Sequence, residues 1–356
     1  MVGALTEGYC DGLSATSGLD FEEKLARGKW RAGVLVLAAV TTQSAQAKTF
    51  TVLYSFMGSP DGEYPYAGLI LDAKGNLYGT TEEGGSSGYG TVFTVDTSGT
   101  EAVLYSFAGG TKDGCYPYGG LTRDKAGTLY GTTFNCGASG YGTVFTVDTS
   151  GTEIVLHSFA GGTKDGAYPD FTGLLMDEKG NLYGVTEEGG ASNYGTVYKL
   201  NKSGKTVTVL YSFTGGTDGG RPVGGLLRDK KGNLYGITNE GGSSGVGTVF
   251  KLNKSGTETV LHSFAEDKTD GCYPFGTVKN DAKRNLYGTT SLCGASAEGA
   301  VYKLSKSGTE TVLHSFVGSD GADPYGGLVR DAKGKLYGTT TSGGASFSGT
   351  VFKLTP

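Results

Sequence analysis

The sequence predicts a six-bladed β-propeller, on three observations. One motif recurs: KGNLYGTTEEGG at 74–85 returns as KAGTLYGTTFNCG, KGNLYGVTEEGG, KGNLYGITNEGG, KRNLYGTTSLCG and KGKLYGTTTSGG. The Phe of an accompanying YSF/HSF signature falls at Phe56, Phe107, Phe159, Phe213, Phe264 and Phe316, at intervals of 51, 52, 54, 51 and 52 residues. A fixed period of about fifty residues suits one propeller blade. Each period also holds four short strand-like runs. Finally, the two ends of the chain are offset in a way that suits a ring.

The strands are clearest in the fourth repeat. GGLLRD (224–229), NLYGIT (233–238), GTVFKL (247–252) and TETVLHSF (257–264) are short and rich in β-branched or aromatic residues. We name them a, b, c and d. DKKGN and NKSG between them are tight-turn sequences, with Asp or Asn leading and Gly closing. The a–b–c set occurs six times, the last ending in GTVFKLTP, but d follows only the first five. KTFTVLYSF (48–56) is a d strand with no a–b–c before it. It is expected to complete the last blade and close the ring, removing an open sheet edge. In a propeller both faces of each blade are buried, so the LYG sites Tyr78, Tyr130, Tyr183, Tyr235, Tyr287 and Tyr337 are expected to pack between blades. The Gly after each marks a close approach.

The domains are thus a leader over 1–47 and the propeller over 48–356. In the leader, Lys24, Arg27, Lys29 and Arg31 precede AGVLVLAAV (32–40), and Ala45 and Ala47 stand in A-x-A spacing. This is the pattern of a secretory signal peptide. No apolar run reaches the length of a membrane span. The net charge of −5 gives a nucleic-acid role no electrostatic support. The 65 glycines and 18% charged residues suit short strands and many turns.

Strand alternation puts the d-to-a and b-to-c connections on one rim and the terse a-to-b and c-to-d turns on the other. Longer loops on a rigid scaffold are where function concentrates. Cys115 and Cys136 in the second repeat, and Cys272 and Cys293 in the fifth, occupy the same two positions, both on the long-loop rim. They are expected to form two disulfides, consistent with export.

LYSF, GNLYGTTxxGG and GTVFKL, as in Leu210–Phe213, Gly232–Gly242 and Gly247–Leu252, resemble the GloVer (Gloeobacter–Verrucomicrobia) tandem-repeat family over residues 48 to 356. The resemblance implies an exported, often surface-sorted bacterial protein and brings no activity or catalytic residues with it. The sequence stops at TVFKLTP without a sorting helix. A secreted, periplasmic or cell-surface location is expected, with release or periplasmic retention favoured over anchoring.

The three histidines, His157, His262 and His314, share one position on strand d, where other repeats have Tyr54, Tyr105 and Tyr211. A packing role is expected, which leaves no imidazole for a general base at the channel, and no catalytic residue is assigned. Asp72, Asp124, Asp177, Asp229, Asp281 and Asp331 begin the a-to-b turns and read as turn caps. Asp61, Asp113, Asp165, Asp218, Asp270 and Asp320 each precede Gly on the long-loop rim. They read as Asx turns, or as a ring of carboxylates for Ca²⁺; no other cofactor is expected. Glu82, Glu83, Glu187, Glu188 and Glu240 read as solvated rim. Arg123, Arg228 and Arg330 read as ion-pair partners at the surface or channel mouth.

The binding candidates are the rim tyrosines. Tyr64, Tyr66, Tyr116, Tyr118, Tyr168, Tyr273 and Tyr325, with Phe275, flank prolines; Tyr89, Tyr141 and Tyr194 sit in the b-to-c loops. An apolar face with a polar tip suits a glycan or a protein surface, and packing beneath the loop accounts for the same residues. The function expected is a binding or scaffold module for a protein or glycan. The alternative is a metal-assisted, lactonase-like or carbohydrate-active enzyme at the central channel.

Overall fold

The computed structural model of the protein describes residues 52–169, 173–202, 206–267, 269–345 and 348–356. The chain divides into two compact units, Met1–Thr51 and Val52–Pro356. The first, with the expected signal peptide and the start of the expected closing strand, lies outside the described residues.

The second unit is a six-bladed all-β propeller. In the fourth blade, strands a to d are Gly220–Arg228, Leu234–Glu240, Thr248–Leu252 and Glu258–Ser263, paired antiparallel in that order. The same order builds blade 1 (Ile70–Leu71, Leu77–Thr81, Thr91–Val95, Glu101–Ser106) and blade 5 (Gly271–Asn280, Leu286–Cys293, Ala300–Leu304, Glu310–Ser315). Blades 2 and 3 follow it, their long-loop ends adding the short pairings Gly114–Cys115 with Asn135–Cys136 and Gly166–Pro169 with Leu182–Gly189. The a strands surround one central cavity of about 770 Å³; Leu69, Leu121, Gly173, Gly224, Thr277 and Leu328 represent the six blades in its wall.

One aromatic chain joins neighbouring blades. The Phe that closes strand d stacks edge-on against the aromatic residue of strand c in the next blade: Phe107 on Phe145, Phe159 on Tyr198, Phe213 on Phe250, Phe264 on Tyr302 and Phe316 on Phe352, with centroids 5.0–5.2 Å apart. The strand c ring then lies on the LYG glycine of its own blade. A Cβ on Gly236 would stand 2.5 Å from Phe250 Cζ and 3.0 Å from Leu226 Cδ2. That contact explains the six glycines: the ring occupies the space a side chain would need. Gly236→Ala is therefore expected to lose about 1–3 kcal/mol of stability by overpacking. A denaturant midpoint that does not move would contradict this account.

The LYG tyrosines have a second task. Each hydroxyl donates to the Asp that opens the a-to-b turn of its own blade, Tyr78 to Asp72 through Tyr337 to Asp331, at 3.1–3.2 Å. The same carboxylate accepts turn N–H groups, as Asp229 does from Asn233 at 2.9 Å. The expected arginine ion pairs are not what forms. Arg123 lies over the Tyr78 ring at 5.5 Å and Arg330 over Tyr287 at 6.0 Å, each reaching back to the preceding blade. A planar guanidinium prefers a ring face where no carboxylate is free, because the turn aspartates are already saturated by their own blade.

The sixth sheet has three strands, Val329–Arg330, Leu336–Thr340 and Thr350–Leu354. The expected closing ladder is not present among the described residues: residues 52–56 form no strand, and Val351 is 83% exposed. Side-chain contacts nevertheless hold this segment against blade 1 as a d strand would be held. Phe56 stacks on Phe93 at 4.8 Å, and Tyr54 donates to Asp61 at 2.6 Å. Among the described residues the segment is fastened by side chains to the blade that follows it, and residues 52–56 show no pairing with the sixth sheet; the start of the expected strand, 48–51, lies outside them.

Candidate functional site

The long-loop rim is built from joints between blades. In each entry loop one residue is left-handed: Tyr64, Tyr116, Tyr168, Arg221, Tyr273 and Asp323, at φ 48–57°. Five of them donate a backbone N–H to the b-to-c loop of the preceding blade. Tyr116 bonds to Tyr89 O, Tyr168 to Tyr141 O, Arg221 to Tyr194 O, Tyr273 to Val246 O and Asp323 to Glu298 O, at 2.9–3.2 Å. The following proline then abuts a b-to-c glycine of that neighbour, Pro117 against Gly90 and Pro169 against Gly142. Rings pack over the same joints, Tyr89 on Tyr116 at 5.9 Å and Tyr141 on Tyr168 at 5.5 Å. Tyr194 covers Gly215 and Gly220. Thus Tyr116, Tyr168 and Tyr273 are half-buried joint residues, while Tyr89, Tyr141 and Tyr194 keep 36–40% of their surface exposed.

The other candidates gather at the mouth of the central cavity. Tyr66, Tyr118, Phe275 and Tyr325 line it from blades 1, 2, 5 and 6. Tyr66 and Tyr118 have centroids 6.0 Å apart, Phe275 meets Tyr325 edge-on at 4.8 Å, and Tyr64 stacks on Tyr66 at 6.3 Å. Tyr66 and Tyr325 are 68% and 45% exposed. Burial first, then the hydrogen bond its hydroxyl donates to Glu82, pushes the Tyr118 phenol well above its ordinary range. Lys279 is the one charged side chain among the described residues of the lining; no Asp, Glu or His is among them. Glu188 and Glu240, expected to be solvated, flank Arg221 at 3.3 and 3.1 Å.

The six aspartates offered as Ca²⁺ ligands do not converge. Each closes a latch in its own entry loop. Tyr54, Tyr105 and Tyr211 donate to Asp61, Asp113 and Asp218 at 2.6–3.0 Å, and Nε2 of His157, His262 and His314 lies 2.9–3.1 Å from Asp165, Asp270 and Asp320. A backbone N–H of the loop completes every latch, as Ala108 does on Asp113 at 2.7 Å. Burial pushes Asp165 up, but the His157 bond and the loop amides outweigh it and hold the carboxyl below its usual value. The histidines are thus latch partners as well as packing residues. Among the described residues no group of three or more His, Cys, Asp or Glu side chains is placed to hold a metal ion.

A second carboxylate stands near four of these latches: Glu101, pushed up by burial and by Asp61, and three that are shifted further. Glu153, Glu258 and Glu310 head d strands, are half-buried, and each has an Oε1 shut away from solvent with no hydrogen-bond partner among the described residues. Burial first, then the charges of Asp113, Asp218 and Asp270, pushes each up to about 7. The folded protein therefore keeps three protons that the unfolded chain releases above pH ~4.5. Their contribution to stability is greatest below that pH and falls as pH rises toward 7. Thermal melts from pH 4.5 to 8 are expected to show this decline, and Glu153→Gln, Glu258→Gln and Glu310→Gln together to flatten it. An unchanged slope in the triple variant would refute the assignment.

The disulfides expected from the sequence are present. Cys115–Cys136 and Cys272–Cys293 each tie an entry loop to a b-to-c loop within one blade, with Cα atoms 5.4 and 5.3 Å apart. No helix of the described residues is long and apolar enough to cross a membrane.

Among solved structures the chain is similar to a gluconolactonase from Xanthomonas campestris at 16% identity, covering 83% of this chain and 88% of that one, with a TM-score of 0.49. It is similar to a putative oxidoreductase (glucose dehydrogenase) from Thermus thermophilus at 14% identity, 83% and 98% coverage and a TM-score of 0.49. The extracellular domain of a putative one-component system from B. thetaiotaomicron is similar at 11% identity over 81% of this chain and 32% of that chain, with a TM-score of 0.49. None of the three carries an activity across to this chain. No curated protein matches it. The match to the Gloeobacter/Verrucomicrobia repeat model covers residues 33–177 and 170–356, and the chain therefore belongs to that repeat family.

Proposed function

We propose that this protein is an exported binding module that seats a glycan at the long-loop mouth of its central cavity. The observation that carries this reading is the aromatic collar of Tyr66, Tyr118, Phe275 and Tyr325 around a cavity of about 770 Å³. Tyr66 and Tyr325 present ring faces and hydroxyl groups with no hydrogen-bond partner among the described residues. Flat apolar faces with polar tips suit the mixed surface of a sugar ring. The collar is mounted on joints stiffened by inter-blade hydrogen bonds, so little ordering is required on binding. Two disulfides and the signal-like leader support export.

The enzyme alternative needs a channel metal held by oxygen or imidazole ligands. The described lining offers no carboxylate or imidazole, and the rim aspartates are engaged in their latches. That donor set does not fit the alternative.

The test is a glycan array followed by titration calorimetry on the best hit. Tyr66→Ala with Tyr325→Ala is expected to weaken binding by about tenfold or more, from two aromatic contacts of roughly 0.5–1.5 kcal/mol each. Full affinity in the double variant, or an array without hits beside capture of an envelope protein through this rim, would overturn the glycan assignment.

A further inference from the structure

The terse rim carries a charge pattern that the net charge of −5 conceals. Blades 1 and 2 turn from c to d with DTSG (96–99 and 148–151), whereas blades 3, 4 and 5 use NKSG (201–204), NKSG (253–256) and SKSG (305–308). Strand c changes at the same boundary: Thr94 and Thr146 in the first two blades become Lys199, Lys251 and Lys303 in the next three. Each of these blades has thus exchanged one Asp for Asn or Ser and two Thr for Lys. The c-to-d ladders run in the same antiparallel register in both sets, and the blade 4 turn keeps the hydrogen bonds of blades 1 and 2. Asp96 accepts from Ser98 and Thr100 N–H as Asn253 does from Ser255 and Thr257. The exchange therefore serves no folding need that blades 1 and 2 do not already meet.

Two of the added lysines, Lys199 and Lys254, border a cavity that also holds cations common to the repeat. Between blades 3 and 4 a cavity of about 370 Å³ is lined by Lys179, Lys199, Arg228 and Lys254 together with Asp177 and Glu178. Between blades 4 and 5 a second, of about 560 Å³, is lined by Arg228, Lys230, Lys231 and Arg284, with Asp229 and Asp281. Arg228 faces both. The three aspartates are occupied by their own turns and tyrosines, Asp177 for instance by Asn181 and Tyr183. Among the described residues none of Lys179, Lys199, Arg228 and Lys254 joins an ion pair, and Arg228 and Lys254 both come to rest against Gly232. In each cavity four cations face two carboxylates, so positive charge is in surplus, and a bound anion lowers the repulsion among the cations.

We propose that this double cavity on the short-turn rim of blades 3 to 5 binds a linear anionic polysaccharide, one carrying a carboxylate on each sugar. Two cavities on successive blade boundaries, sharing Arg228, suit an extended chain with regularly spaced charges. The neighbouring blades keep Asp96 and Asp148 on the same rim and repel any polyanion broad enough to cover the whole disc, such as a nucleic-acid duplex. The surface is on the opposite rim from the aromatic collar, and its occupancy does not depend on the collar having a ligand.

The repeat supplies a fold-compatible control. In the full chain, Lys199→Thr, Lys202→Thr and Lys254→Thr restore what blades 1 and 2 carry, so the variant is expected to melt as the parent does. Binding of polygalacturonate oligomers, measured by calorimetry at low salt, is expected to weaken with added salt and to fall by about tenfold or more in the triple variant. Tyr66→Ala with Tyr325→Ala should leave it unchanged. Absence of polygalacturonate binding, equal affinity for neutral dextran, undiminished affinity in the triple variant, or tighter binding of duplex DNA or polyglutamate would each overturn the assignment.

Discussion

Phe213→Ala lowers the stability of the propeller by about 3–5 kcal/mol, the usual loss for a fully buried Phe. Phe213 has no exposed surface and stacks at 5.1 Å on Phe250, which in turn lies on Gly236. Removing it opens a cavity in the joint between blades 3 and 4 and takes the support from the Phe250 ring. The site cannot collapse, because the strands on both sides are held by ladder hydrogen bonds. Urea unfolding followed by circular dichroism measures the effect. Phe56→Ala is the internal comparison: the same contact is made from a half-buried residue outside any sheet, and its loss should be clearly smaller. Equal losses at the two sites would mean that residues 52–56 are held as firmly as a paired strand.

Breaking a single disulfide has the second largest effect. Each links residues 21 apart, and closing a loop of that size is worth about 3 kcal/mol in the chain-entropy account. Part of this is offset. Cys136 and Cys293 sit at φ 65° and 63°, where the other blades have Gly84, Gly189, Gly241 and Gly343. A left-handed Cys costs about 1–2 kcal/mol relative to Gly. The informative variants are therefore Cys115→Ala with Cys136→Gly and Cys272→Ala with Cys293→Gly, expected to lose about 1–2 kcal/mol per bridge, whereas reduction of the native protein should lose about 3 kcal/mol per bridge. If the Gly variants and the reduced protein melt alike, the backbone offset is absent.

The blades were legible because the repeat is nearly in register and each strand is bounded by turn residues. The disulfides were legible because Cys115 and Cys136 recur together at the positions of Cys272 and Cys293. What the repeat hid were contacts between units. Arg123 and Arg330 were read as ion-pair partners because sequence does not show that the nearest carboxylates are already filled by a tyrosine and a turn. The latch had a signal that went unused: Tyr or His on strand d always precedes a rim Asp by six to eight residues, an interval fixed by one hydrogen bond. The closing strand was inferred from counting strands. A count specifies what could pair and says nothing about which neighbour grips the segment first. Of the rim tyrosines, identity alone could not separate Tyr116 and Tyr168, spent on joints, from Tyr66 and Tyr325 at the cavity mouth.

The three-stranded sixth sheet has a consequence for how the molecule comes apart. Five blade-to-blade aromatic contacts in series, with no described ladder between the last blade and the first, make the disc behave as a short one-dimensional array with two termini. Amide hydrogen exchange should then be graded by position, fastest in blades 1 and 6 and slowest in blades 3 and 4, as fraying enters from both ends toward the middle.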